Sequence, residues 1–229
     1  TIYPMVSAGI RTLGVVGGAI AARQAERVNR DTGISPPSLT DSPRGHLSLA
    51  VLNGFLGHDL EHVHSSFALP LSIREDNREV ELTPEGVRAA YPDATSQIVV
   101  LVHGFLCTDR SWEWRAESVG RDNLYAARLR ADFGLTPVRV RYNTGRRIST
   151  NAALLGAALA QLVECWPVPV ERIVLIGHSM GGLVVTSAAA QAARRLDAEA
   201  LDSGQAGSPE WVRLVTDVIT LGSPHSGNG

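Results

Sequence analysis

"RIVLIGHSMGGLVVTS", residues 172–187, sets a serine between glycines directly after a run of apolar residues. Ile173 to Ile176 is uninterruptedly apolar, as a strand buried on both faces requires. From Gly181 the pattern turns helical, over 181–200. Ser179 stands at the bend, in Gly177-His178-Ser179-Met180-Gly181, a G-x-S-x-G string. In a chain with 22 glycines the string alone says little. A strand before it and a helix after it mark a nucleophile elbow. So tight a turn leaves no room for a Cβ at Gly177 or Gly181, and it forces the serine hydroxyl out of the sheet's C-terminal edge. The first amides and the dipole of the following helix point at the same spot, where negative charge would develop. The bland alternative is a serine N-cap with small neighbours.

Outward from this bend, "QIVVLVHG" (97–104), "TPVRVRYN" (136–143), "ERIVLIG" (171–177) and "VTDVITLGSP" (215–224) read as strands. Helical stretches at 110–132, 149–165 and 181–200 separate them, which predicts an α/β fold with a mostly parallel sheet. "LPLSIRED" and "NREVELTP" flank a polar turn and predict a hairpin. Residues 46–64 read as a short helix, and 31–45, rich in Pro, Ser, Thr and Gly, as a linker. In residues 5–28, Val6, Ile10, Leu13, Val16 and Ile20 recur at helical spacing. They predict an amphipathic helix docked on the body, with peripheral membrane or partner contact as the alternative. The expected organisation is therefore an N-terminal segment (1–45) and a core (46–229).

The chain has 229 residues, 44% hydrophobic and 19% charged, enough for one sizeable core. A net charge of -2 from well-mixed signs argues against nucleic acid, as do aromatics at 5%. Cys107 and Cys165 suit a reducing compartment, with one bridge between them left open, so a cytoplasmic location is expected. The uncharged run from Arg11 to Arg23 is short of the ~20 residues a membrane span needs.

A second part of the same machinery lies upstream. The strand 97–102 ends in His103-Gly104-Phe105. The turn after such a strand can lend one backbone N–H to an oxyanion hole, and the residue after the nucleophile lends the other. Phe105 and Met180 are assigned those amides. His103 is expected to brace the turn by hydrogen bonding, with a role as base the lesser alternative.

These residues, with "VHGF" (102–105), "RYNTGRRIS" (141–149), "WPVPVERIVLIGHSMGGLV" (166–184) and "TLGSPHSG" (220–227), make the chain resemble the α/β-hydrolase superfamily over roughly residues 69–229. More narrowly it resembles the esterase/lipase branch that includes bacterial triacylglycerol lipases and GPI inositol-deacylase-like proteins. The resemblance implies carboxyl-ester hydrolysis through an acyl-serine, with a lipid or other ester as substrate and no cofactor. A single glycine before a bulky residue, as in Gly104-Phe105, goes in that family with medium or long acyl chains. Arg146 and Arg147 either meet an anionic part of the substrate or solvate a loop.

The chain also departs from the family. There the order is Ser, then Asp or Glu, then His. His225 is the only histidine after Ser179, and the family's "SPH" at that place is a structural turn. Asp197, Glu199, Asp202, Glu210 and Asp217 do not follow a later strand. The base and acid are thus expected outside this chain, in a C-terminal part that is disordered, deleted or on another chain. Separately, His58-Asp59-Leu60-Glu61-His62 matches the H-x-x-E-H zinc-protease pattern. With no third ligand evident, a polar helix face is the preferred reading and no metal is expected. The same elbow also suits an acyltransferase or amidase, and a catalytically silent lipid- or partner-binding module is the alternative from another class.

Overall fold

Ile98 to Val102 are fully buried, and they form the strand on which the rest of the sheet is laid. The computed structural model describes residues 43–62, 67–114, 116–203 and 211–226. The N-terminal helix read at 5–28 and most of the linker therefore fall outside the described residues. Elements follow in the order α1 (Pro43–His62), β1 (Ser72–Glu75), β2 (Arg78–Glu79), α2 (Pro84–Ala90), β3 (Gln97–Val102), α3 (Ala116–Val119), α4 (Tyr125–Phe133), β4 (Thr136–Arg141), α5 (Ile148–Cys165), β5 (Arg172–His178), α6 (Met180–Ser203) and β6 (Val215–Leu221). Short 3₁₀ turns occupy Asp109–Glu113, Arg121–Asn123 and Trp211–Leu214. Two compact units divide the chain: Thr1–Pro70 with Asn143–Arg146, and Leu71–Tyr142 with Arg147–Gly229.

In the larger unit the six strands lie in the order β2-β1-β4-β3-β5-β6. The hairpin β1–β2 is antiparallel and β1 runs antiparallel to β4; the other pairings are parallel. Asp76 and Asn77, at φ 46° and 63°, make the two-residue turn, which needs positive φ at both places. Alternation along β3 serves two cores. Ile98, Val100 and Val102 face Leu155, Leu159 and Leu162 of α5 and Val184, Val185 and Ala188 of α6. Val99 and Leu101 face Trp112, Ala126 and Leu135. By length and composition α5 matches a membrane span, yet its Leu155, Leu159 and Leu162 are fully buried in this core. Cys107 and Cys165 are free thiols.

Two elements differ from the sequence reading. The stretch 110–132 is not one helix, because Trp114 turns extended (ψ 134°) and Gly120 takes φ 82°, each ending a helical turn. Helix α2 was not anticipated, although Thr83-Pro84 carried its signal. Thr83 caps it by accepting from the Gly86 N–H at 3.1 Å, and Pro84 takes the first position, where a missing N–H costs nothing.

In the smaller unit, α1 begins at Pro43, inside the stretch read as linker. Its buried Asn53 donates to the carbonyls of Leu49 (3.0 Å) and Phe67 (2.8 Å) and accepts from the Leu69 N–H at 2.8 Å. Leu49, Leu60 and Phe67 form a small core. Asn143 donates to the Gly57 carbonyl at 3.0 Å, and its carboxamide fills the space a Cβ on Gly57 would need. At an open helical position Gly→Ala gains about 1 kcal/mol. Here Gly57→Ala is expected instead to lower the melting temperature, and a value at or above wild type would refute this packing.

Candidate active site

Ser179 follows β5 and precedes α6 with φ 53°, a left-handed conformation that a non-glycine residue adopts at a cost of roughly 1–2 kcal/mol. Its N–H donates to the Leu221 carbonyl at the end of β6 (2.8 Å), and its carbonyl accepts from the Gly182 N–H (3.1 Å). The neighbouring glycines are required by space. A Cβ on Gly177 would collide with the backbone of Gly181 and Gly182, and one on Gly181 with the carbonyl oxygens of Val102 and His103. A Cβ on Gly104 would lie 3.0 Å from the Ser179 Cβ and 3.0 Å from His178 Nδ1. The turn after β3 therefore presses directly on the elbow, as the two motifs require of each other. Gly182, not singled out in the sequence, abuts Ser223 in the same way.

The turn itself runs Gly104-Phe105-Leu106-Cys107 and is closed by the Cys107 N–H donating to the Gly104 carbonyl at 3.2 Å. Leu106 carries φ 58° at its third position, the place where glycine is usual. That strain left no mark in the sequence, because leucine gives no signal for such a conformation. Phe105 is exposed at the second position. Met180 opens α6, so its N–H is one of the first-turn amides with no intrahelical partner.

His103 is fully buried. Its ring stacks on Tyr142 at 4.4 Å between centroids, and the Tyr142 hydroxyl donates to the His103 carbonyl at 2.8 Å. A ring carrying its proton on Nδ1 donates to the Gly104 carbonyl (3.0 Å) and accepts from the Tyr142 N–H at Nε2 (3.4 Å). Burial pushes its pKa down to about 4, the Gly104 carbonyl opposing this in part. It is a neutral brace for the turn.

The remaining candidates sit elsewhere. His225 is exposed, with Nε2 3.2 Å from the Thr220 hydroxyl and its N–H on the Ser223 carbonyl. Asp217 pairs with Val174 in register, far down the strands from Ser179, and accepts from Arg172 at 2.8 Å. The hydrogen bonds from Arg172 and Thr216 hold its carboxyl below the usual range. Asp197 is exposed deep in α6, roughly 27 Å from the elbow at the helical rise. Glu199 and Asp202 belong to α6, and Glu210 falls outside the described residues. Among the described residues no histidine or carboxylate is hydrogen-bonded to Ser179. In the smaller unit, Arg146 is paired through two nitrogens with the Glu61 carboxylate. Arg147 is exposed ahead of α5. The Glu61 carboxylate of the H-x-x-E-H string is thus engaged, and the described residues hold no cluster of three metal-ligating side chains.

Two outcomes follow from this geometry. Glycine adopts positive φ freely, so Ser179→Gly should be more stable than Ser179→Ala by about 1 kcal/mol in denaturant unfolding, the reverse of the usual order. A Gly variant less stable than the Ala variant would mean that the elbow is unstrained. For His103, folding suppresses protonation. Both states are neutral above pH 6.5; below it the unfolded chain binds a proton that the folded one refuses until about pH 4. Stability should fall across that window, and more steeply in wild type than in a folded His103→Asn variant.

The alpha/beta hydrolase family model matches residues 99–225. Among curated proteins and among solved structures, no match to the chain was found. The matched residues run from β3 through the turn and elbow to the end of β6, on a six-stranded, mostly parallel sheet. The chain thus belongs to the alpha/beta hydrolase family, a membership that implies a hydrolase.

Proposed function

We propose that the chain hydrolyses carboxyl esters through an acyl-Ser179 intermediate. The observation that carries this is the strained Ser179, held against Gly104 with no side chain between them. Backbone strain of that kind clusters at active sites, where it is part of the mechanism. In the first half of the reaction the Ser179 oxygen attacks the acyl carbon and its proton passes to a base. The carbonyl oxygen, now negative, is held by the N–H groups of Phe105 and Met180 until the alcohol departs with a proton. Water then repeats the sequence on the acyl-serine and releases the acid. The base and the acid that orients it are placed by this reading outside the described residues.

The substrate class follows from the resemblance and from surface chemistry. Phe105 stands exposed on the turn, which suits an apolar acyl chain. Contact with a lipid surface through the N-terminal segment, and a second chain completing the fold, belong to the same proposal. No metal or organic cofactor takes part in it.

A fluorophosphonate probe tests the nucleophile: labelling at Ser179, abolished in Ser179→Ala, is expected. The hole is tested by Phe105→Pro, since proline suits the second position of this turn but has no N–H to give. In a folded variant, loss of ester turnover by about 10²–10³ is expected. Unlabelled wild-type protein that still binds lipid would favour a silent binding module, and labelling with transfer to an added alcohol or amine would favour an acyltransferase.

A further inference from the structure

Arg141, the last residue of β4, and Tyr142, directly after it, reach opposite sides of the sheet. Tyr142 shares the face of Val138 and Val140 and holds His103, where the chain enters the turn. Arg141 points to the other face and holds Asp109, where the chain leaves it, with Nε donating to Oδ1 at 2.5 Å. Both partners are nearly inaccessible, Asp109 at 2% and Arg141 at 4% exposure. Two adjacent residues at the end of β4 therefore grip the segment 103–109 from both ends, and between the grips lie Phe105 and the strained Leu106.

The pair belongs to an ionic layer on that face. Asp109 and Glu113, at the two ends of one 3₁₀ turn, meet Arg141 and Arg139, two apart on β4. Arg139 also reaches Glu75 at 3.3 Å. Arg74 of β1, 8% exposed, lies close enough to both members for its charge to be disfavoured first by burial and then by Arg141, and favoured by Asp109. Arg74 has its own partners in the Asn77 carbonyl and Glu79, and Arg141 Nη2 and Arg74 Nε remain buried without partners. Stability is a weak reason for such an arrangement, since apolar side chains of similar volume often replace a buried ion pair at no loss. What a charged pair adds is a fixed distance and direction.

We propose that Asp109 and Arg141 are positioning residues that fix the exit of the 104–107 turn and so aim the Phe105 N–H at the developing oxyanion. The inference rests on the ester-hydrolase reading above. A misplacement of about 1 Å at such a donor costs on the order of 10²-fold.

The test compares an oxygen ester with its thiono counterpart in the full chain. Sulfur is larger and a poor hydrogen-bond acceptor, so the thiono ester draws little on the hole. Asp109→Asn is expected to lower kcat for the oxygen ester by about ten- to a hundredfold, with KM little changed and the thiono rate little changed. Because Asp109→Asn leaves a buried arginine unpaired and can fail to fold, Asp109→Leu/Arg141→Met is measured beside it, with melting temperature as the check on fold. A folded variant of either kind should show the collapsed oxygen-to-thiono ratio; one with the wild-type ratio overturns the proposal. Wild-type protein that fluorophosphonate does not label at Ser179 overturns the hydrolase reading and the pair together, whereas labelled wild type with unaltered ratios overturns the pair alone.

Discussion

Three lengths of main chain meet at the C-terminal edge of the sheet with no side chain between them. Gly181 lies on the carbonyls of Val102 and His103, Gly177 on the first turn of α6, and Gly104 on Ser179. Adjacent strands are ~4.8 Å apart, and Val102 sits opposite Gly177 in register. A helix can start one residue after Ser179 and still clear β3 only if the facing positions are bare. Everything that makes the site chemically interesting is a consequence of that clearance. The serine cannot turn inward, the helix cannot start later, and the turn after β3 cannot move away without opening a gap.

Such closeness is held by force elsewhere. Two residues with side chains, Ser179 and Leu106, carry positive φ on either side of the same contact. Each costs on the order of 1–3 kcal/mol, so the surroundings must outweigh them. On one face of β3 this is done by α5 and α6 through fully buried leucines and valines, and on the other by Trp112, Ala126 and Leu135. The neutral His103 contributes differently. By satisfying both ring nitrogens with backbone groups it allows a polar side chain to sit at the centre of the sheet's edge without a charge.

The sequence carried most of this where a residue type has one physical reason to be present. Gly177, Gly181 and Gly104 could be read because only glycine clears a backbone at those places, and the strands because Ile98–Val102 and Ile173–Ile176 have no polar interruption. Single charged residues were opaque. Asp109, Arg141 and Glu61 look solvated in the sequence and are paired in the structure, because their partners come from distant segments. The broken stretch 110–132 was misread for a related reason: its apolar residues, Trp112 and Ala126, serve one core from separate turns. Leu106 offered nothing to read, since leucine has no preference for the positive φ it adopts in the turn.

The two flanks of the elbow are not held equally. On the β3 side it meets glycine-lined backbone braced by two strand-end residues. On the β6 side it is held by the hydrogen bond from Ser179 N–H to the Leu221 carbonyl, at the end of the last strand of the described sheet, and by Gly182 packed on Thr220 and Ser223. That strand leaves Val218 and Ile219 exposed, and its ion pair with β5, Arg172–Asp217, is half in solvent and worth little. Its hold on the elbow comes from the parallel ladder running Ile173–His178 against Val215–Leu221. The serine's own amide is therefore fixed by main-chain pairing along β5 and β6 rather than by side-chain contacts of its own.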